Sequence, residues 1–282
     1  DYNNFDDENR EVLLFKDQSC DELLDDFYNL IDESKRRKKY LPILRIADGE
    51  FQFLLGKNEI NYRKPLLLLL KNLLGEFYRQ IIGRKFEARS RTYTSGRYDK
   101  SDLNEAKIKY AECLKHVSSK GILAIYTIIK PKFYTEQYIP KLLLFFERNH
   151  INLTHTNYYP FYFVYIVLTN PRFANIYNGA RVHLITSYNN DRKDKIESSL
   201  FLKGVKSVSW TKISRDKSLF DKIDTNMIDE DTDIIFVGAG VGKVNVFNQL
   251  REFPGLIIDA GYIFETWQDS SLRFERDYCE RH

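Results

Sequence analysis

The sequence predicts an α/β fold, a Rossmann-like and mostly parallel sheet with helices on both faces. Segments typical of strands alternate with helical segments along the 282 residues. The strand segments are continuous apolar runs, which is typical of parallel strands buried on both faces. Without an internal repeat or a long linker in the chain, we expect an acidic N-terminal extension over residues 1–18 and a single domain over residues 19–282.

The elements predicted for the first half start from a clear helix signal. Ser19 and Glu22 form a capping box, apolar residues follow at helical spacing, and the basic run 35–39 suits a helix C-terminus. Pro65 suits the start of a second, apolar helix. The predicted elements are a helix in 19–39, a strand at 43–48, a helix at 65–83, a basic loop at 84–100, a helix at 101–117 and a strand at 121–128.

The second half continues the alternation after a less regular aromatic stretch at 130–178. Pro140 lies inside a helical pattern and is a candidate for its true start. His183 lies within an apolar strand, which favours a hydrogen-bonded core residue. The predicted elements are a helix at 136–149, a strand at 180–187, a helix at 191–202, a strand at 205–210, a strand at 232–240, a helix at 241–253 and a strand at 256–261.

Composition and charge exclude several classes of protein. A net charge of +3 is close to neutral for this length, so no nucleic-acid partner is expected. The three cysteines are far apart and lack metal-ligand spacing, which predicts neither a disulfide framework nor a zinc site and favours the cytoplasm. The apolar runs are too short to span a bilayer, although a peripheral membrane contact stays open. The first residue is not Met, which suggests an excised domain.

An acidic turn follows the first predicted strand, in the segment ILRIADGEFQFLLG. Ligands of α/β sheets bind at the carboxyl ends of the strands, where Asp48 is expected. If the chain is extended there, Asp48 and Glu50 point to the same side, and Gly49 permits a sharp turn. Two hard oxygen ligands suit Mg²⁺ or Mn²⁺. The alternative is an ordinary Asp-Gly turn with Glu50 placed favourably at a helix start.

A glycine loop, IIFVGAGVGKVNVF, joins the strand at 232–240 to a predicted helix. Gly238, Gly240 and Gly242 match neither the P-loop nor the dinucleotide spacing. They suit either a ligand at a helix N-terminus or close packing of the helix on its strand. Asp259, at the end of the next strand, occupies a place where nucleotide folds bind ribose. A methyltransferase or an NAD-dependent enzyme is therefore one alternative function.

The basic loop at 84–100 carries Arg and Lys residues interleaved with Tyr93 and Tyr98. Arginine forks bind phosphates and acidic sugars well. The more common meaning of such a run is a solvated face. Both interpretations stay open at this point.

Two segments resemble the GT-D-type glycosyltransferases. The segment ILRIADGEFQFLLGKNEINYRK resembles the opening motif of that family, and DIIFVGAGVGKVNVFNQLREFPGLIIDAGYIFETWQD resembles its closing segment. The pattern departs at Ala47, where the family has glycine, at the Gly-Pro-Thr-type turn, here Gly238 to Val241, and at Tyr262, where histidine is usual. The resemblance implies a Rossmann-like enzyme that transfers a sugar from a nucleotide-sugar donor, typically a UDP-sugar.

The resemblance also assigns roles to individual residues. It implies that Asp48 and Glu50 act with Mn²⁺ or Mg²⁺ at the donor diphosphate. Arg45 and Gly49 match the opening motif, and Gly238, Gly240 and Asp259 match the closing segment. Candidates for the base that deprotonates the acceptor hydroxyl are Asp259 and Glu265.

The expected partners are a nucleotide-sugar donor, a carbohydrate or glycoconjugate acceptor, and a larger or multi-enzyme glycan assembly system. A third hypothesis is a non-catalytic binding domain, in which Asp48 and Glu50 only cap a turn.

Overall fold

A computed structural model describes residues 19–55, 100–125, 132–215 and 217–269. The strands of these ranges form one seven-stranded, all-parallel sheet in the order β3-β2-β1-β7-β6-β4-β5. They are β1 (Leu41–Ile46), β2 (Ile122–Ile125), β3 (Tyr158–Pro160), β4 (Arg181–Thr186), β5 (Ser207–Lys212), β6 (Ile234–Gly238) and β7 (Leu256–Asp259). The predicted N-terminal extension, the helix at 65–83 and the basic loop up to residue 99 lie outside the described residues.

Helices cover both faces of this sheet, which confirms the predicted α/β, Rossmann-like fold. They are α1 (Cys20–Arg37), α2 (Asp48–Leu55), α3 (Lys100–Lys120), α4 (Lys132–Arg148), α5 (Phe161–Thr169), α6 (Asn190–Leu202), α7 (Lys243–Gln249) and α8 (Ile263–Gln268). Helix α3 packs with α7, whereas α8 packs with α5 and α6, and α1 with α5. The central strands are buried along almost their whole length, as continuous apolar runs predict.

The strand order creates a crevice next to the first strand. The chain runs outward from β1 through β2 to β3, crosses to β4, and returns through β6 to β7 beside β1. The helix that precedes β2 packs with α7, and the helix that follows β7 packs with α5 and α6. When the connections from two neighbouring strands pass to opposite faces of the sheet, a crevice opens at the carboxyl ends of these strands. Ligands of α/β proteins bind in such crevices.

Helix α1 confirms its predicted capping box. The Ser19 hydroxyl accepts the Glu22 backbone N–H, and the Glu22 carboxylate accepts the Ser19 backbone N–H at 2.9 Å. The apolar face of α1 is buried through Leu23, Phe27 and Ile31. Lys38, directly after the last residue of α1, has a φ of 47°, a left-handed conformation that ends the helix.

Several element boundaries differ from the sequence-based prediction. The first strand starts and ends two residues earlier, and Pro140 lies inside α4, whose buried Ile139 and Leu142 hold both sides of it to the core. The predicted helix at 241–253 is a 3-10 turn at Gly240–Gly242 followed by the seven-residue α7. Helix and strand propensities are weak in short segments that contain glycine, so tertiary packing decides where these elements begin.

The aromatic stretch after α4 forms edge strand β3 and buried helix α5. Phe161 to Leu168 carry almost only aromatic and branched apolar side chains, and most of them are buried. Periodicity cannot separate a helix from a strand when every side of a segment is apolar. The length of the segment and its packing on α8 and β2 favour the helix.

Two of the cysteines lie in described helices, Cys20 at the start of α1 and Cys113 on α3. Among the described helices, none has the length and apolar character needed to cross a bilayer. Cys113 is a buried free thiol on α3, and burial raises the pKa of that thiol to about 12. Cys20 is disulfide-bonded, a pairing that the wide cysteine spacing did not predict.

His183 is a hydrogen-bonded core residue, as predicted. Its Nδ1 lies 2.7 Å from the Ser209 hydroxyl and its Nε2 lies 2.9 Å from the Thr211 hydroxyl, both on the neighbouring strand β5. The residue is fully buried, and burial lowers the pKa of its imidazole to about 4. The ring therefore stays neutral in the folded protein well below the usual His range.

We expect the free energy of unfolding to fall as the pH drops from about 6.5 toward 4, by up to about 3 kcal/mol. In that window the unfolded chain binds a proton at His183 that the folded chain does not, and the full stability is present above it. Urea unfolding at several pH values measures the slope, which His183→Gln should reduce. The exposed His155→Gln is the control, and equal slopes for wild type and His183→Gln would contradict the prediction.

Candidate functional site

Four charged side chains meet, buried, at the carboxyl ends of β1 and β7. Arg45 and Asp259 come from these two strands, Glu50 from α2, and Lys243 from the first residue of α7. Their exposed fractions are 4%, 1%, 6% and 4% in that order. Two cations and two carboxylates balance, which is what allows this much charge to be buried. We call these four residues the buried charge cluster.

Asp259 is the centre of the buried charge cluster. Its Oδ1 accepts a hydrogen bond from Arg45 Nη2 at 2.9 Å, and its Oδ2 lies 2.7 Å from Lys243 Nζ. Oδ2 also accepts the backbone N–H of Arg45 at 3.3 Å. Burial would raise the pKa of Asp259, but Arg45 and Lys243 outweigh it, and the net pKa is lowered. Asp259 is therefore an ionised anchor between two cations.

Glu50 connects helix α2 to the same cluster. Its Oε1 lies 2.9 Å from Lys243 Nζ, and its Oε2 accepts the backbone N–H of Ala47 at 2.8 Å. The second bond caps the start of α2, because Glu50 is the third residue of that helix. Burial lowers the pKa of Lys243, but the charges of Asp259 and Glu50 more than compensate and raise it. Glu50 thus caps α2 and also pairs with a lysine from α7.

The guanidinium of Arg45 lies between two aromatic rings and the carboxylate of Asp259. Its guanidinium carbon lies 5.0 Å from the centre of the Phe161 ring and 4.8 Å from that of the Tyr165 ring, both on α5. Among the described residues, its buried Nε and Nη1 have no hydrogen-bond partner. Gly261 has a φ of +44°, and a Cβ there would lie 1.8 Å from Arg45 Nη2. Glycine at position 261 therefore gives the guanidinium its space beside Asp259.

The acidic turn is not extended as the sequence interpretation assumed. Asp48, Gly49 and Glu50 form the first turn of α2, and residues two apart in a helix lie on different sides of it. The prediction that an extended chain brings both carboxylates to one side is therefore wrong, because the chain is helical at this turn. The backbone of Asp48 does lie two residues past the end of β1, at the predicted edge of the sheet. The Asp48 side chain is outside the described part of the structure.

The glycine loop shows close packing. A Cβ at Gly238 would lie 2.9 Å from the Phe264 ring, and one at Gly242 would lie 2.2 Å from the Ser218 hydroxyl. Gly240 has a φ of 54°, which favours glycine. These contacts support the packing interpretation for Gly238 and Gly242. Helix α7 then turns its first side chain, Lys243, into the buried charge cluster.

Glu265 lies apart from the four clustered charges, in the first turn of α8. Its exposure is intermediate. Burial, and next the charge of Glu265, raise the pKa of Tyr188 in the segment that follows β4. Glu265 therefore lies near the carboxyl edge of the sheet, with part of its surface open to solvent.

Lys243 is the member of the cluster that sequence reasoning missed. The sequence showed it only as the lysine after a glycine loop that fails the P-loop pattern. Its neighbours Val241, Val244 and Phe247 are buried, which is a signal that this helix start faces the core. A lysine among buried residues requires an acidic partner, and such a partner was available in Asp259 and Glu50.

The donor atoms of the acidic turn fit a hard divalent cation. Carboxylate oxygens suit Mg²⁺ or Mn²⁺, and the two bonds to Glu50 leave some of its four acceptor positions for a cation. Over the described side chains, which do not include Asp48, no group of three or more His, Cys, Asp or Glu forms a complete metal site. A cation would then take its remaining ligands from water and substrate phosphate, as Mg²⁺ commonly does.

A surface cavity of about 770 Å³ lies elsewhere, between α6, α8 and the end of α5. The described residues that line it are mostly polar, and none belongs to the buried charge cluster. This cavity is therefore separate from the buried charge cluster.

Comparison with known proteins gives no relative. No model of a protein family, no curated protein and no solved structure matches this chain. The resemblance to GT-D-type glycosyltransferases stays a prediction from two sequence segments, the same two segments that contain the residues of the buried charge cluster.

Proposed function

We propose that the chain is a metal-dependent glycosyltransferase that moves a sugar from a nucleotide-sugar donor, a UDP-sugar, to a glycan or glycoconjugate acceptor. One observation carries the proposal. The two segments that resemble the family join in the fold, since Asp259 binds Arg45 across 214 positions and Lys243 binds the Arg45 carbonyl across 198. They join at the crevice where α/β proteins bind ligands.

The proposed cation is Mn²⁺ or Mg²⁺, held by Asp48 and Glu50 at the start of α2. When bound, it supplies positive charge to the donor diphosphate as this becomes the leaving group. Gly49 leaves the turn without a side chain, and a Cβ there would meet none of the described atoms within 4 Å. The backbone can therefore approach a ligand closely at that point.

The other residues of the site have separate proposed roles. Arg45 holds Asp259 in place and, through Nε and Nη1, which have no partner among the described residues, retains donors for an anion. Gly238 and Gly240 shape the loop that leads into Lys243. Of the two candidate bases, the geometry favours Glu265, because Asp259 is fully buried and its pKa is lowered by two cations.

The proposed setting follows the sequence expectations. The partners are the nucleotide-sugar donor, the acceptor and other proteins of a glycan assembly system, with a peripheral membrane contact and no nucleic acid. The proposed compartment is the cytoplasm. The Cys20 disulfide argues against this compartment, because disulfides are rare there.

Two other functions make different predictions. A methyltransferase or NAD-dependent enzyme would use the glycine loop for its cofactor, but the packing of Gly238 and Gly242 already accounts for two of the glycines. A non-catalytic domain would use Glu50 only as the cap of α2, which leaves the buried lysine and arginine without a ligand-related role.

Thermal unfolding with ligands separates these functions. We expect UDP with Mn²⁺ to raise the melting temperature by several degrees, because a ligand at 100 times its Kd adds about 2.7 kcal/mol to the native state. Mn²⁺ alone, S-adenosylmethionine and NAD are the comparisons. A shift with either of the last two and none with UDP would support the cofactor enzymes, and no shift with any ligand at millimolar concentration would support the non-catalytic domain.

A further inference from the structure

Three oxygen atoms surround the ammonium of Lys243. Nζ lies 2.9 Å from Oε1 of Glu50, 2.7 Å from Oδ2 of Asp259 and 2.6 Å from the carbonyl oxygen of Arg45. An ammonium has three N–H donors and no acceptor. Two of these donors are hydrogen-bonded, to Asp259 and to the Arg45 carbonyl, and Glu50 forms an ion pair with the same buried ammonium. Any effect it has on a ligand comes through its charge and through the residues that it holds.

The position of Lys243 is fixed by the fold. It is the first residue of α7, directly after Gly242, whose missing side chain allows contact with Ser218. Its side chain is 4% exposed and joins α2, β1 and β7. A buried ammonium held by two carboxylates has little freedom to move toward a substrate, unlike a surface lysine.

We propose that Lys243 is a positioning residue that sets the charge of the nucleotide site, an inference that rests on the proposed glycosyltransferase function. The buried charge cluster has two carboxylates and two cations and is neutral, so the proposed ligand Asp48, when ionised, would bring the site to one net negative charge. A divalent cation converts this to one net positive charge, which attracts a diphosphate. Without Lys243, the same cation would only neutralise the site.

This role predicts opposite effects on the two ligands. Loss of the lysine charge removes repulsion of a divalent cation near Glu50, so the affinity for the cation stays equal or increases. The same loss removes a unit of attraction for the diphosphate inside a buried, weakly screened site, which weakens nucleotide binding by about tenfold or more. A lysine that served only the stability of the fold would weaken both ligands together.

The variant Lys243→Gln tests the inference, because its amide retains hydrogen-bond donors for the carboxylates but has no charge. Calorimetry first measures Mn²⁺ alone and then UDP in saturating Mn²⁺. We expect Mn²⁺ affinity equal to or tighter than wild type and UDP affinity lower by about tenfold or more. The matched control is Lys206→Gln, an exposed residue at the amino edge of the sheet, which should change neither value.

A second variant keeps the test decisive if Lys243→Gln does not fold. Lys243→Gln with Asp259→Asn removes one positive and one negative charge, so the net charge is that of wild type and UDP affinity should be close to wild type. A tenfold loss in this double variant, or a parallel weakening of both ligands in the single variant, or no change in either, would overturn the inference alone. A wild-type protein that binds neither Mn²⁺ nor UDP would overturn the proposed function and the inference with it.

Discussion

Replacement of Asp259 by leucine is expected to lower the free energy of unfolding by about 3–5 kcal/mol, the usual cost of removing one partner from a buried ion pair. Leucine has a similar shape but leaves Arg45 and Lys243 with only Glu50 to balance them. The buried charge cluster then carries one excess positive charge in a region where the side chains are almost fully buried. Urea unfolding measures the loss.

A double-mutant cycle with Arg45→Met separates the charge effect from packing. Arg45→Met alone leaves an excess negative charge, whereas the double variant retains the neutral pair of Lys243 and Glu50. We therefore expect the double variant to be more stable than the sum of the single losses predicts, by about 0.5–3 kcal/mol. Additive losses would show that Arg45 and Asp259 are not coupled as their 2.9 Å contact requires.

The largest functional effect is expected from the acidic turn. Asp48→Asn with Glu50→Gln should reduce sugar transfer or donor hydrolysis in Mn²⁺ by about 100-fold or more, because the carboxylates that hold the proposed cation lose their charge. The readout is release of UDP from a panel of UDP-sugars. Activity equal to wild type would end the assignment of Asp48 and Glu50 as metal ligands.

The chain offers a matched control for the acidic-turn variant. Asp229 and Asp231 have the same spacing but lie in an exposed turn before β6, at the amino edge of the sheet, where Asp231 pairs with Lys38 at 3.4 Å. Asp229→Asn with Asp231→Asn should leave transfer close to wild type. The single variant Asp48→Asn separates loss of the cation from loss of the Glu50–Lys243 pair, since it leaves that pair unchanged.

The sequence determined the fold and part of the site for local reasons. Continuous apolar strands between helices require a parallel sheet covered on both faces, and the capping box at Ser19 follows from hydrogen bonds three residues apart. The approximate positions of Asp48 and Asp259 follow too, because polar residues after buried strands lie at one edge of a parallel sheet. Such predictions need only residue types and short spacings.

Only the tertiary structure decided which charges meet. The bond between Arg45 and Asp259 depends on β7 returning beside β1, and nothing local to either segment encodes that strand order. The position of Lys243 likewise depends on the start of α7 lying beside the ends of β1 and β7. A buried charge is stable only beside its partner, so its role follows from long-range packing and not from the residues that flank it.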